Sequence, residues 1–295
     1  MTETLNKNNF NQFPIDEAAE SEYNLRIRHP ERTAIYERYS SLSTATRASK
    51  AAHINIPYGK GHKQELDLFL PTGVASPPLL IFIHGGYWRA LDKDIFSFIA
   101  DAYVQNGIAV AMPNYPLVPQ TTIFEIIANM RTACFWLVEQ ADKWGYDPYN
   151  IVVSGHSAGA HLAAHMVSRK NMRGFKGRFT GYVGLSPIFD LLPLLNTTVN
   201  RDLCLSADEA RALGFYEGED FFDLPFVLAV GELETRGFRG QSRYFFSMLK
   251  DEGREVQSFT IPNRTHFDML EDFAPMHIEK QKSLLFHWVL TMFEQ

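Results

Sequence analysis

One serine stands between two glycines in Gly155-His156-Ser157-Ala158-Gly159, where the apolar run Ile151-Val152-Val153 gives way to the helix-forming stretch Ala160-His161-Leu162-Ala163-Ala164. A GxSxG turn between a strand and a helix holds its serine hydroxyl out at the end of the strand, and the glycines remove side chains that would clash there. A hydroxyl in that position attacks a carbonyl once a base takes its proton. The tetrahedral oxyanion then needs donors already aimed at it. The Ala158 amide, at the amino end of the following helix, is the first candidate. The second comes from His84-Gly85-Gly86-Tyr87-Trp88, where glycines let the backbone approach a substrate oxygen, with the Gly86 or Tyr87 amide as donor.

A nucleophile on such a turn is served by a carboxylate and then a histidine later in the chain. Of the ten histidines, His266, His277 and His287 qualify by position. His287 lies between Phe286 and Trp288 in an apolar helical pattern and reads as a packing residue; His277 precedes the same helix. His266, in the polar stretch Pro262-Asn263-Arg264-Thr265-His266-Phe267, is the candidate base. For the acid, Gly231-Glu232-Leu233-Glu234 follows an apolar run and offers two carboxylates. Glu234 is the first choice, with Glu232 and Asp190 as alternatives. Tyr87 and Trp88 beside the glycines, His156 beside the serine and Phe267 beside the histidine are candidates to touch substrate. Arg236 and Arg264 are candidates to pair with a substrate carboxylate. His161 and His165 have the spacing of two metal ligands on a helix, but no HExxH glutamate or third ligand accompanies them. The expectation is packing, with no metal and no cofactor.

The elements that must position these residues alternate. Short apolar runs at 53–58, 65–70, 79–83, 108–112, 151–153, 182–185, 226–230 and 256–261 read as strands, with helices at 95–105, 123–144, 240–252 and 276–293. This is the pattern of an α/β fold, a mostly parallel twisted sheet with helices on both faces. Residues 1–50 lack the alternation. They form an extension with a helix start at Pro30 and with aromatics Phe10, Phe13 and Tyr23, expected to pack on or near the active site. Residues 51–295 form the catalytic domain, with a small cap-like insertion at about 190–222.

A chain of 295 residues, 45% hydrophobic, buries roughly three quarters of its unfolded surface in one core. Its net charge of -6 comes from interspersed acids and bases, and no basic run offers itself to nucleic acid. Neither a secretory signal nor a membrane span is read from the sequence, and Cys134 and Cys204 have no CxxC partner. A cytoplasmic protein acting on a small molecule, with no nucleic-acid or membrane partner, is expected; a homodimer is left open.

Taken together, HGGYW at 84–88, GHSAGAHLAA at 155–164, GELETRGFRGQS at 231–242 and THFDMLEDF at 265–273 resemble the arylformamidase (kynurenine formamidase) branch of the α/β-hydrolases, related to the hormone-sensitive-lipase-like esterases. The resemblance spans about residues 50–293. It implies the α/β-hydrolase fold, with Ser157 as nucleophile, His266 as base and Glu234 where the family usually carries Asp. It also implies removal of a formyl group from an aryl amide through an acyl-enzyme. A short-chain carboxylesterase would use the same parts. A non-catalytic binding relative would be expected to lack a member of the triad, and all three are present here.

Overall fold

The computed structural model describes residues 13–49, 51–275 and 283–294. Its centre is one eight-stranded sheet in the order β1-β2-β4-β3-β5-β6-β7-β8, formed by Ala52–Pro57 (β1), Glu65–Phe69 (β2), Leu79–Ile83 (β3), Ala109–Pro113 (β4), Ile151–His156 (β5), Phe179–Leu185 (β6), Phe226–Gly231 (β7) and Val256–Ile261 (β8). β1 and β2 run antiparallel and β3 to β8 are parallel. β3, β4, β5, β6 and β7 are buried along their whole length, as strands covered on both faces must be. Two apolar clusters, one on each face, account for that burial.

Helix boundaries follow local chemistry where it is strong. Thr122 and Glu125 form a reciprocal capping box that starts Ile123–Glu139, and Ser206 with Glu209 does the same for Ala207–Leu213. The 123–144 helix expected from periodicity is broken at Gln140, after which a short turn Ala141–Trp144 ends on the left-handed Gly145. At 95–105 a 3-10 turn, Lys93–Phe96, precedes the helix Ile99–Val104. The physical cause lies elsewhere in the chain: Ser43 Oγ donates to the Ile95 carbonyl (2.8 Å) and accepts from the Phe98 amide (3.0 Å), occupying groups a continuous helix would pair internally. Of the helix expected at 276–293, Leu284–Thr291 is observed, and 276–282, including His277, lie outside the described residues, as does Phe10.

The amino-terminal segment is helical: Glu17–Tyr23 (α1), Leu25–Arg28 (α2) and Arg32–Arg47 (α3). α3 starts two residues past Pro30 and is anchored by charge. Arg47 pairs with the fully buried Asp67 of β2, which also meets Lys93 Nζ at 3.0 Å. A buried carboxylate holds its charge only with such partners. α1 packs on the helix Arg236–Asp251, where Glu22 Oε2 accepts from the Gly237 amide (2.7 Å) and Thr235 Oγ1 donates to the Glu22 carbonyl (2.8 Å). Phe13 and Tyr23 join the core on that side. Among the described residues no helix is long and apolar enough to cross a membrane.

Candidate active site

β5 ends at His156 and the helix Ala158–Val167 begins at once, so Ser157 must turn the chain alone and does so at φ 57, ψ -120. Both flanking glycines are sterically required. A β-carbon on Gly155 would lie 2.3 Å from the Gly159 carbonyl, and one on Gly159 would lie 2.0 Å from the Ile83 oxygen. The Ser157 amide is taken by the Leu185 carbonyl at 2.8 Å, and the Ser157 carbonyl accepts from the Ala160 amide at 3.0 Å. The first amides of this helix, those of Ala158 and Gly159, have no intrahelical acceptor.

The loop after β3 lies directly against that turn. A β-carbon on Gly85 would come within 3.2 Å of Ser157 Cβ and 2.7 Å of the His156 carbonyl. Gly86 has φ +116 and a β-carbon there would strike the Ala90 carbonyl at 2.1 Å, so this turn accepts only glycine. Tyr87 and Trp88 continue it at φ 52 and φ 56. Stacking of His84 on Tyr115 (4.2 Å between rings) and donation of the Tyr115 hydroxyl to the His84 carbonyl (2.8 Å) hold the turn from below. From above, the Tyr87 hydroxyl donates to the Tyr23 carbonyl at 2.6 Å.

Glu234 and His266 reach the site from the loops after β7 and β8. Gly231 lets those loops touch, since a β-carbon on it would meet the Arg264 carbonyl at 2.3 Å. Glu234 Oε2 accepts from His266 Nδ1 at 2.9 Å, while Oε1 accepts from the Gly231 amide (2.7 Å) and from Ser186 Oγ (2.5 Å). Three donors on one buried carboxylate fix its orientation and leave His266 Nε2 turned away from it. The imidazole is packed against Phe238 and His156, with ring centroids at 4.4 Å and 4.7 Å. Its backbone is held by His156 Nε2, which donates to the His266 carbonyl at 2.8 Å. Glu232 is exposed and accepts from the Asn263 amide at 3.0 Å; Asp190 accepts from the Leu192 amide and the Tyr216 hydroxyl. Both are occupied as loop braces.

Ser157 and His266 open onto a cavity of about 440 Å³. Gly86, Tyr87, His156 and Phe267 line it as well. Trp88 does not: it is fully buried and presents its ring to the edge of His161, 5.1 Å away. Successive left-handed residues send Tyr87 to the cavity and Trp88 into the core, which corrects the expectation that both touch substrate. Arg236 and Arg264 are also corrected. Arg236 is 88% exposed with Glu22 as neighbour, and Arg264 binds Asp272 (2.6 Å) and Glu271 (2.9 Å). The cations of the cavity are instead Arg26, Arg32 and Arg89. None of the lining residues comes from 190–222, whereas eight of them, from Asn24 to Ser40, come from the amino-terminal segment.

The histidines outside the site are structural. His161 Nε2 donates to the Leu213 carbonyl (2.8 Å) and His165 lies 3.3 Å from it, with no group of metal-holding residues among the described ones. His287 is exposed rather than packed, with its Nδ1 2.7 Å from the Ser283 carbonyl. Burial pulls His161 down to about 4. Burial does the same to His156 and His165, held well below the usual value, with the charge of His266 adding to it at the first and of His161 at the second. The unfolded chain takes up these protons near pH 6.5 and the folded chain only well below it, near 4 for His161, so stability falls as pH falls below about 6.5. A histidine held near 4 costs about 2 kcal/mol at pH 5 relative to pH 7 and above. Scanning calorimetry should therefore show a melting temperature lower by at least about 5 °C at pH 5 than at pH 7.5; an unchanged melting temperature contradicts it.

The strand order, the nucleophile-type turn after β5 and the carboxylate-bonded histidine after β8 define an α/β-hydrolase. The comparisons agree. The family model BD-FAE matches residues 66–188. The kynurenine formamidase of Salmo salar is 30% identical over 75% of this chain and 76% of its own. The isoprenylcysteine alpha-carbonyl methylesterase ICME of Arabidopsis thaliana is 29% identical over 75% of this chain and 58% of its own. A crystal structure from Silicibacter sp., described as a candidate thioesterase, superposes with a TM-score of 0.72 at 32% identity, covering 82% of this chain and 89% of that one. The chain is a serine-type hydrolase of amides or esters. It belongs to the kynurenine formamidase family.

Proposed function

We propose that Ser157, His266 and Glu234 form a catalytic triad that hydrolyses the amide between a small acyl group, formyl above all, and an aryl amine. The observation that carries this reading is that a serine on a left-handed turn and a histidine bonded to a buried carboxylate share one cavity. His266 Nε2 takes the Ser157 proton as Oγ attacks the carbonyl, and Glu234 stabilises the imidazolium. The Ala158 amide and the Gly86 or Tyr87 amide receive the oxyanion. His266 then protonates the departing amine, and water activated by the same imidazole releases the acid. No metal or organic cofactor enters these steps. The same reading takes the protein to be cytoplasmic, acting on a diffusible small molecule.

The cavity supports the substrate class. At about 440 Å³, with Tyr36, Tyr87 and Phe267 in its wall, it suits one ring and a short acyl group, not a long lipid tail. The test is kcat/KM for an N-formyl aryl amide, p-nitrophenyl acetate and p-nitrophenyl decanoate in one buffer. The formyl amide and the acetate should exceed the decanoate by about a hundredfold or more, each lost methylene contact being small beside exclusion of the whole chain. A faster decanoate overturns the reading. A second reading, a short-chain carboxylesterase, is favoured by the methylesterase relative; acetate turnover without formyl-amide turnover selects it.

A further inference from the structure

His156 stands between the two halves of the proposed machinery. Its ring centroid lies 4.7 Å from that of His266, and its Nδ1, like Ser157 Cβ, lies 3.2 Å from where a β-carbon on Gly85 would stand. One contact fixes which nitrogen carries the hydrogen. Nε2 is 2.8 Å from the His266 carbonyl, an oxygen that can only accept, so Nε2 is the donor. Burial, with the charge of His266 adding to it, keeps the ring from taking a second proton. Nδ1 is therefore a bare acceptor. It has no hydrogen-bond partner among the described residues yet is not sealed from solvent, in a residue only 4% exposed. The opening left to it is the cavity that His156 lines together with Ser157 and His266.

A lone pair held there meets a need that amides have and esters do not. As Oγ bonds to an amide carbon, the carbonyl π pair moves to oxygen and the nitrogen becomes pyramidal. Its own lone pair must turn towards His266 Nε2 and take the proton before the C–N bond breaks. That turn swings the N–H to the other side of the nitrogen, where it is costly unless an acceptor meets it. An ester oxygen carries no hydrogen and makes no such demand. The leaving atom sits beside His266, because His266 protonates it, and His156 is the polar ring of the cavity wall packed against His266. We infer that His156 is a further catalytic residue, whose Nδ1 accepts a hydrogen bond from the leaving N–H in the tetrahedral state and so favours an amide over an ester of the same acid. A bond made only in that state raises kcat rather than affinity. The inference rests on the proposed triad and deepens it with a cause for amide selectivity.

Two substitutions separate this role from support of the base. His156→Gln keeps a donor for the His266 carbonyl and removes the acceptor at Nδ1, whereas His156→Asn sets its amide oxygen in the place of Nδ1 and gives up the tie to that carbonyl. The measurement is kcat and KM for formanilide and phenyl formate, with N-methylformanilide, which has no N–H, as control. His156→Gln should lower the formanilide-to-ester ratio of kcat/KM by about tenfold or more, chiefly through kcat, and move the N-methylformanilide-to-ester ratio by less than about threefold. His156→Asn should hold the formanilide-to-ester ratio near its original value even where both rates fall. Amide and ester falling together in His156→Gln overturns the inference, as does N-methylformanilide falling as far as formanilide; the formamidase reading then stands and His156 only braces His266. A ratio that drops in His156→Asn by tenfold overturns it too. Ester turnover without formanilide turnover in the unmodified protein removes the formamidase reading instead. Formanilide and N-methylformanilide are then compared as inhibitors of ester hydrolysis. A preference for the N–H compound that His156→Gln abolishes supports the contact, and the lack of a preference, or one that survives, overturns it.

Discussion

Ser157→Ala should leave a folded protein that has lost at least about a thousandfold in kcat, the scale on which removal of a triad nucleophile acts. The substitution deletes Oγ alone. It keeps the β-carbon against which Gly85 already packs, and the turn at φ 57 is made by main-chain bonds to Leu185 and Ala160. Melting should therefore shift little. A fluorophosphonate should label the unmodified protein and not the variant. Hydrolysis by the purified variant at more than a few percent of the original rate would remove Ser157 from the mechanism.

Glu234→Gln is the second large effect, expected at about 10² to 10⁴ in kcat. Gln is nearly the same shape and keeps acceptors for the Gly231 amide and Ser186, so the fold has little reason to respond. It brings no charge to stabilise the imidazolium, and its amide nitrogen can face His266 Nδ1 and select the wrong tautomer. Glu232→Gln, two residues earlier, should stay within about threefold, because an exposed side chain accepting one loop amide contributes little. Paired rate measurements on the two variants assign the acid; a crippled Glu232→Gln beside an active Glu234→Gln reverses the choice.

What the sequence shows of this site is what local chemistry dictates. β3, β5, β7 and β8 each read as a strand running into a glycine or polar loop, and each loop delivers one part of the site. Strand alternation does not separate Glu232 from Glu234, which share a parity; the turn after Gly231 buries Glu234 against His266 and leaves Glu232 exposed. Side-chain direction in the left-handed stretch 86–88 is not legible: adjacent aromatics look equivalent until Tyr87 and Trp88 are seen to face opposite ways. Nor is the company of an arginine. Arg264 looks available beside the histidine but spends its charge on Glu271 and Asp272, whereas Arg26 and Arg89, far apart in sequence, meet only after α2 folds over the loop. Ser43, which interrupts the helix at 97–98, acts from α3 across more than fifty positions. For the cavity arginines and for Ser43 the missing information is tertiary, carried by a contact between segments with no periodicity in common.

The bond from Tyr87 to the Tyr23 carbonyl makes the leading helices more than a wall. In many enzymes recognition and reaction are separable, so that one can be redrawn by lineage after lineage while the other stays still. Here the proposed strand-borne chemistry and the proposed helix-borne selectivity are tied at the turn proposed to receive the oxyanion. Descendants of this chain that exchange α1 and α2 to admit a new leaving group must therefore also re-create a support for Tyr87. On that reading, drift in specificity and drift in rate are linked through that hydroxyl.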